Sequence, residues 1–227
     1  MKRILFALFA AAIPLIASSQ IYEVGVFAGG SNYIGEVGPT SYIAPNEPAL
    51  GLIAKWNRSP RHSWRASFTY GRLASDDADS DVSGRKERGY SITNAVKELS
   101  AGLEFNFFEF NLHESDFQVT PYLYGGLSYF WYTESYIRNQ RQYKGSTETA
   151  LAIPMTMGVK ANILENFVLG FEVGARYTFT DNLDGSYPED DSNAAYRFGN
   201  LESKDWYVFT GFTLTYTFGN KPCYCSN

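Results

Sequence analysis

Residues 206–218 read WYVFTGFTLTYTF, and this stretch most narrows what the chain can become. From Val208 onward, Val208, Thr210, Phe212, Leu214, Tyr216 and Phe218 fall on one face, and the small or hydroxylated Gly211, Thr213, Thr215 and Thr217 on the other. A repeat of two is the signature of a β-strand. Trp206 stands at one end of the apolar stripe and Tyr216 and Phe218 at the other, where a membrane-spanning strand meets its two interfaces. A strand closing on an aromatic residue this late in the chain also has the form of the signal that delivers outer-membrane barrels to their insertion machinery.

Tyrosine and phenylalanine number 17 each among 227 residues, yet the mean hydropathy is only −0.25. Apolar residues must therefore be interleaved with polar ones, as alternation requires. The N-terminus has a basic Met1-Lys2-Arg3, an apolar run from Ile4 to Ile16, and the small residues Ala17-Ser18-Ser19 before Gln20. That order predicts a secretory signal peptide over residues 1–19, without the cysteine a lipoprotein needs at the cut. A barrel over residues 20–219 and a tail over 220–227 are expected to follow. Losing Lys2 and Arg3 would take the formal charge from −5 to −7. No basic patch argues for nucleic acid. Past the signal, no apolar run approaches the roughly 20 residues of a spanning helix.

Eight strands can be marked by alternation. The first runs from Ile21 to about Gly30, with Tyr22, Val24, Val26 and Ala28 opposite Glu23, Gly25, Phe27 and Gly29. The second carries Leu50, Leu52, Ala54 and Trp56 outward, and the third Trp64, Ala66, Phe68 and Tyr70. A fourth spans about Lys97 to Phe107; a fifth, Val119 to Tyr132, is aromatic on both faces. The sixth covers Thr149 to Asn162, with Pro154 on the inner face weakening the ladder there. The seventh puts Phe167, Leu169, Phe171, Val173, Ala175 and Tyr177 outward, and residues 206–218 make the eighth. Connections alternate long and short, which predicts an all-β, eight-stranded antiparallel transmembrane barrel, with termini and short turns periplasmic and long loops extracellular.

The inward faces carry Glu23, Glu98, Glu104 and Glu172 against Lys55, Arg65, Lys160 and Arg176. Counted from the turns, Glu23 matches Lys55, Arg65 matches Glu104, and Lys160 approaches Glu172, as cross-strand ion pairs would. A charge-selective pore or a proton path is one reading. A plugged interior is the favoured one, because eight strands leave only enough room for side chains to fill.

Catalysis at the outer rim would call for a histidine near a nucleophile or an acid. The two histidines, His62 and His113, fall in predicted periplasmic turns, so no enzyme, cofactor or small-molecule substrate is expected. Asp77, Asp79 and Asp81 alternate like calcium ligands but lack the sixth-position glycine and twelfth-position glutamate of the calcium loop; Val82 and Arg88 stand there. A solvated acidic loop is the expected alternative. Arg138, Arg141 and Lys144 lie among Tyr136 and Tyr143 in the third long loop, a weak basic signal toward lipopolysaccharide phosphates or a partner protein. Cys223 and Cys225 close the tail, where two thiols one residue apart form either a strained small ring or bonds to another protein.

Residues 23–36, EVGVFAGGSNYIGE, together with residues 65–73, the run 177–184 (YTFTDNLD) and Lys221-Pro222-Cys223, resemble the small PorG-type outer-membrane barrels of the type IX secretion and gliding apparatus in Bacteroidota. The spacing of Gly25, Gly29, Gly30, Tyr33, Gly35 and Glu36 is the specific part, and the likeness covers the mature chain. It implies a non-enzymatic component embedded in outer-membrane lipids and associated with the machine's periplasmic ring subunits and lipoprotein, with Cys223 and Cys225 as candidate tethers. The alternatives are a stand-alone structural or adhesive barrel of OmpA or OmpX size, a lipid-modifying enzyme, and a soluble lipocalin-like barrel; lipocalins, however, bury apolar residues inside.

Overall fold

The computed structural model describes residues 21–112, 116–188, 191–200 and 203–219. Eight antiparallel strands follow one another round a closed barrel: β1 (Ile21–Ile34), β2 (Glu47–Ser59), β3 (His62–Asp76), β4 (Ser91–Asn106), β5 (Val119–Arg138), β6 (Arg141–Leu164), β7 (Phe167–Thr178) and β8 (Trp206–Gly219). Closure is made by β1 and β8, which pair from Ile21 opposite Gly219 to Ile34 opposite Trp206. Within the closed part of the wall no edge is left to recruit another strand, and the backbone polar groups there pair between neighbouring strands apart from a break in the β5–β6 ladder.

The alternation expected from the sequence sorts the side chains to the two sides of this wall. Val24, Val26, Leu50, Leu52, Leu99, Leu103, Met155, Met157, Phe212 and Leu214 are exposed on the outside. An apolar surface of this extent is what a barrel presents to lipid. Aromatic residues rim it at both ends. Near the chain termini Tyr22 stacks on Phe218 at 5.9 Å and Phe167 meets Tyr216 at 5.3 Å. At the opposite end Tyr177 packs against Trp206 at 5.1 Å and Tyr129 against Trp131 at 4.9 Å. We call these the terminus rim and the loop rim.

The connections depart from strict alternation. At the terminus rim β2 to β3 and β6 to β7 are tight, whereas β4 to β5 is a longer connection whose residues 113–115 are outside the described set. At the loop rim the expected third loop is strand. β5 and β6 continue past the rim as a hairpin paired through Tyr136–Tyr143 to Arg138–Arg141. Asn139 and Gln140 turn it with φ of 50° and 60°, the left-handed pair whose twist suits a two-residue hairpin. On its flank Tyr136 stacks with Tyr143 at 5.3 Å and with Tyr196 at 5.4 Å, and the Arg138 guanidinium lies 5.7 Å from the Tyr196 ring. The basic residues of this segment thus sit on an ordered projection.

Pro154 has the expected local effect. The β5–β6 ladder is interrupted between the pairs Gly125–Met155 and Ser128–Ala152, while Pro154 still lies opposite Arg176 on β7. Proline has no N–H to give to the first of these ladders.

Candidate functional site

The lumen is filled in two layers. Toward the terminus rim lie charges. Glu104 on β4 accepts from Lys55 on β2 at 2.9 Å and from Lys160 on β6 at 2.6 Å, and its second oxygen is 3.5 Å from Arg65 on β3. Arg65 spans the barrel to Glu172 on β7 with two parallel bonds of 2.7 and 2.8 Å, while the Tyr122 hydroxyl donates to the same carboxylate at 2.6 Å. Higher up, Arg176 donates to Glu98 at 3.2 Å, and Tyr207 donates to Glu98 at 2.5 Å. Glu23 accepts from Asn57 at 2.8 Å and from Thr215 at 2.6 Å.

All eight charged residues singled out in the sequence face the lumen and are buried, but the expected neighbour pairing gives way to pairing across it. Glu23 does lie opposite Lys55 in register, yet Lys55 reaches Glu104 instead, and Lys160 reaches Glu104 rather than Glu172. Arg65 keeps Glu104 only as its longer contact. The reason is width: in an eight-stranded barrel, long side chains from opposite walls meet at the axis. Lysines on β2 and β6 therefore share one acid, and bidentate geometry favours the Arg65–Glu172 pair.

Toward the loop rim the inward face becomes apolar. Phe27, Ile53, Leu73, Ile92, Val96, Phe130, Tyr132, Tyr207 and Phe209 form one buried cluster, joined by Val37 and Leu183 from the connections above. Phe209 contributes its ring face to Arg176, 4.6 Å away, which links the two layers. The inner face is thus charged in one half and apolar in the other, a division the sequence reading did not make.

Two polar arrangements cap this apolar layer. In the first, Asp77, read from sequence as part of a solvated acidic loop, is fully buried. It takes Arg88 at 2.8 and 2.9 Å and the backbone N–H groups of Gly38 and Tyr90 at 2.8 and 2.9 Å. Asp79 and Asp81 remain exposed. Burial alone would raise the Asp77 carboxyl, but Arg88 and the two amides outweigh it and hold it below its ordinary value of 3.8. This latch joins the β1–β2 and β3–β4 connections. A carboxyl so depressed stabilises the latch fully above pH 3.8, and the contribution is lost as pH falls below that value toward the folded-state pKa. Asp77→Asn is expected to lower the cost of opening these connections by about 1–3 kcal/mol. The check is limited proteolysis at neutral pH, with cleavage between residues 77 and 90 at least tenfold faster than in wild type and the barrel itself intact.

The second arrangement was not identified as a site from sequence. Glu36 from the β1–β2 connection meets Asp181, Asp184 and Asp205 from the β7–β8 connection. Ligand atoms of Glu36, Asp181 and Asp205 all lie within 4.8 Å of one another. The Tyr33 hydroxyl and the Leu183 N–H fix Asp205, the Ser186 N–H fixes Asp184 at 2.8 Å, and Ser203 donates to Glu36. Burial, then the charges of Glu36 and Asp184, push the Asp181 carboxyl up to about 7, against an opposing pull from Lys204. Asp184 is raised by burial and by Glu36, and Asp205 by burial and by Asp184. Gly35 is required here, since a Cβ would collide with the Tyr33 hydroxyl and stand 2.6 Å from Asp205 Oδ1. The runs 33–36 and 181–184 thus supply this cluster together with Ser203 and Asp205, and the signal available in sequence was the density of acids beside short polar side chains.

His62 opens β3 at the terminus rim, exposed, with Nδ1 3.2 Å from Ser59 Oγ and its ring 5.3 Å from that of Phe105. His113, Cys223, Cys225 and residues 1–20, which include the signal peptide expected over 1–19, are outside the described residues.

Among solved structures the chain is similar to Ail, the attachment invasion locus protein of Yersinia pestis, in complex with the heparin analogue sucrose octasulfate. That match has a TM-score of 0.48 and 10% identity, over 88% of this chain and 100% of the other. It is also similar to Neisserial surface protein A, with a TM-score of 0.45, 11% identity, and 88% and 98% of the two chains covered. A major outer membrane protein from Thermus thermophilus gives 0.46 and 16% identity over 88% and 100%. No curated protein matches the chain in sequence. The model of the family described as a domain of unknown function, DUF6089, matches residues 2–227, and the chain belongs to that family.

Proposed function

We propose that this protein is a sealed outer-membrane barrel acting as a non-enzymatic anchor in the type IX secretion and gliding apparatus of Bacteroidota. The observation that carries the anchoring role is the filled lumen. Glu98, Glu104, Tyr122, Phe130 and Tyr207 are at most 1% exposed, so the barrel offers partners its rims and its lipid-facing wall rather than a conduit. The assignment to that apparatus rests on the resemblance of residues 23–36 and 177–184, and of the tail, to PorG-type barrels. In this reading the terminus rim faces the periplasm, where the ring subunits and lipoprotein of the machine associate, and the loop rim faces outward.

Cys223 and Cys225 serve this association rather than the barrel. A wall closed by β1 and β8 has no edge to staple, and a bridge between residues two apart encloses almost no chain, so its loop-entropy contribution is small. The test is crosslinking in native membranes followed by purification of the tagged protein. Wild type is expected to bring down the periplasmic ring subunits. The double variant Cys223→Ser, Cys225→Ser is expected to keep a heat-modifiable barrel while losing most of that co-purification. Absence of ring subunits from the wild-type crosslinks contradicts the secretion assignment; unchanged association and secretion in the double variant removes the tether alone.

A further inference from the structure

We propose that the loop rim holds a divalent cation of the calcium type, bound by the carboxylates of Glu36, Asp181 and Asp205, which ties the long β7–β8 connection to the β1–β2 connection.

The charge balance of the molecule points there first. Among the described buried acids, Glu98, Glu104, Glu172 and Asp77 each have a lysine or arginine in ion-pair contact, and Glu23, which has none, has both oxygens satisfied by hydrogen bonds from Asn57 and Thr215. Glu36, Asp181, Asp184 and Asp205 have no such ion pair among the described residues. Lys204 bears on Asp181 only from beyond ion-pair distance. Four carboxylates are thus gathered with no cation in contact, and bringing charges out of water unpaired is what proteins avoid most strongly.

A second, separate observation concerns unused oxygens. Asp181 is 5% exposed and Asp184 fully buried, yet among the described residues Asp181 Oδ1 and Asp184 Oδ2 have no hydrogen-bond partner. Glu36 Oε2 is likewise unpartnered, as is the neutral amide oxygen of Asn182, a residue 1% exposed. Buried acceptors in native proteins are nearly always satisfied, and a hard cation satisfies several at once. Asp205 accepts two hydrogen bonds already, but a carboxylate has roughly four lone-pair sites, so these bonds orient it without exhausting it.

The spacing suits the ion. Oxygens on opposite sides of a calcium ion with bonds of about 2.4 Å stand close to 5 Å apart, and the three ligand atoms lie within 4.8 Å of one another. Oxygen-only ligands and no histidine or cysteine argue for a hard cation over a transition metal. The cradle is also held open by glycine. At Gly199, where φ is +80°, a Cβ would collide with Glu36 Cγ.

The experiment uses the full mature chain folded in detergent micelles. Terbium, sensitised by Tyr33 whose hydroxyl binds Asp205, reports binding, and calcium displaces it. Wild type is expected to bind calcium saturably, with a dissociation constant of about 0.1–1 mM, the range of extracellular calcium modules. Asp181→Asn is expected to weaken binding at least tenfold, and Asp79→Asn, at an exposed loop acid, to leave it unchanged. Limited proteolysis of residues 179–205 gives a readout that a purely structural acid cluster would not produce. In chelator, Asp181→Asn is expected to be cut no faster than wild type, because a repelling charge has gone; in calcium only wild type should gain protection. Folded wild type showing no saturable binding up to about 10 mM calcium, well above that range, overturns the proposal. So does equal binding by wild type and Asp181→Asn, or equal weakening by Asp79→Asn.

Discussion

Glu104→Gln is expected to destabilise the folded barrel by about 3–5 kcal/mol. The carboxylate is fully buried and is the shared partner of Lys55 and Lys160, whose side chains are 3% and 2% exposed. Removing its charge leaves two ammonium groups in a dry lumen without the carboxylate that is the ion-pair contact of both. The loss is the penalty of stranded charge and does not measure what the network contributes, because a buried ion pair replaced whole by apolar groups is often nearly neutral. Adding Lys55→Met and Lys160→Met to Glu104→Gln should therefore restore more than half of the loss. Urea titration in lipid vesicles, followed by the shift between folded and unfolded bands on gels, measures both. A single variant within about 1 kcal/mol of wild type would show that water reaches these lysines and that the lumen is not filled.

The second large effect is expected on the outside. Leu214 faces outward on β8, with Val26 of β1 and Leu169 of β7 opposite it on either side. An arginine at the midplane of the lipid-facing wall costs about 2–4 kcal/mol, against almost nothing near an interface. Leu214→Arg should therefore slow or block insertion into vesicles. The same change at Phe218, in the aromatic rim stacked on Tyr22, should be tolerated much better. Equal insertion of Leu214→Arg and wild type would mean that this face does not meet lipid.

Much of the wall was legible because lipid on one side and a packed lumen on the other impose the same period of two along every strand. Val24 to Ala28, Leu50 to Trp56 and Phe167 to Tyr177 could be assigned to faces from the pattern alone. The pattern fails where the wall leaves the membrane. Residues 141–148, RQYKGSTE, are strand in a projecting hairpin whose side chains along this half are mostly exposed whichever way they face, so nothing selects alternation and the stretch reads as loop. Strand β4 hid its start differently. Ile92, Asn94 and Val96 alternate, but here it is the inward face that is apolar, packed beneath the connections, the reverse of the rule that served lower down. The partner of each interior charge was also hidden, since register predicts neighbours whereas long side chains choose across the axis. Glu36 and Asp205 are 169 positions apart, and only the closure of β1 on β8 brings their connections together.

The sealed lumen is the central claim, and planar-bilayer recording of the purified wild-type barrel tests it most directly. With Glu104, Arg65 and Glu172 locked across the axis beneath the apolar layer of Phe27, Phe130 and Phe209, inserted protein is expected to give no stepwise ion conductance at any polarity. Stable, reproducible conductance steps from correctly folded protein would contradict it and make the charged layer a selectivity filter rather than a plug.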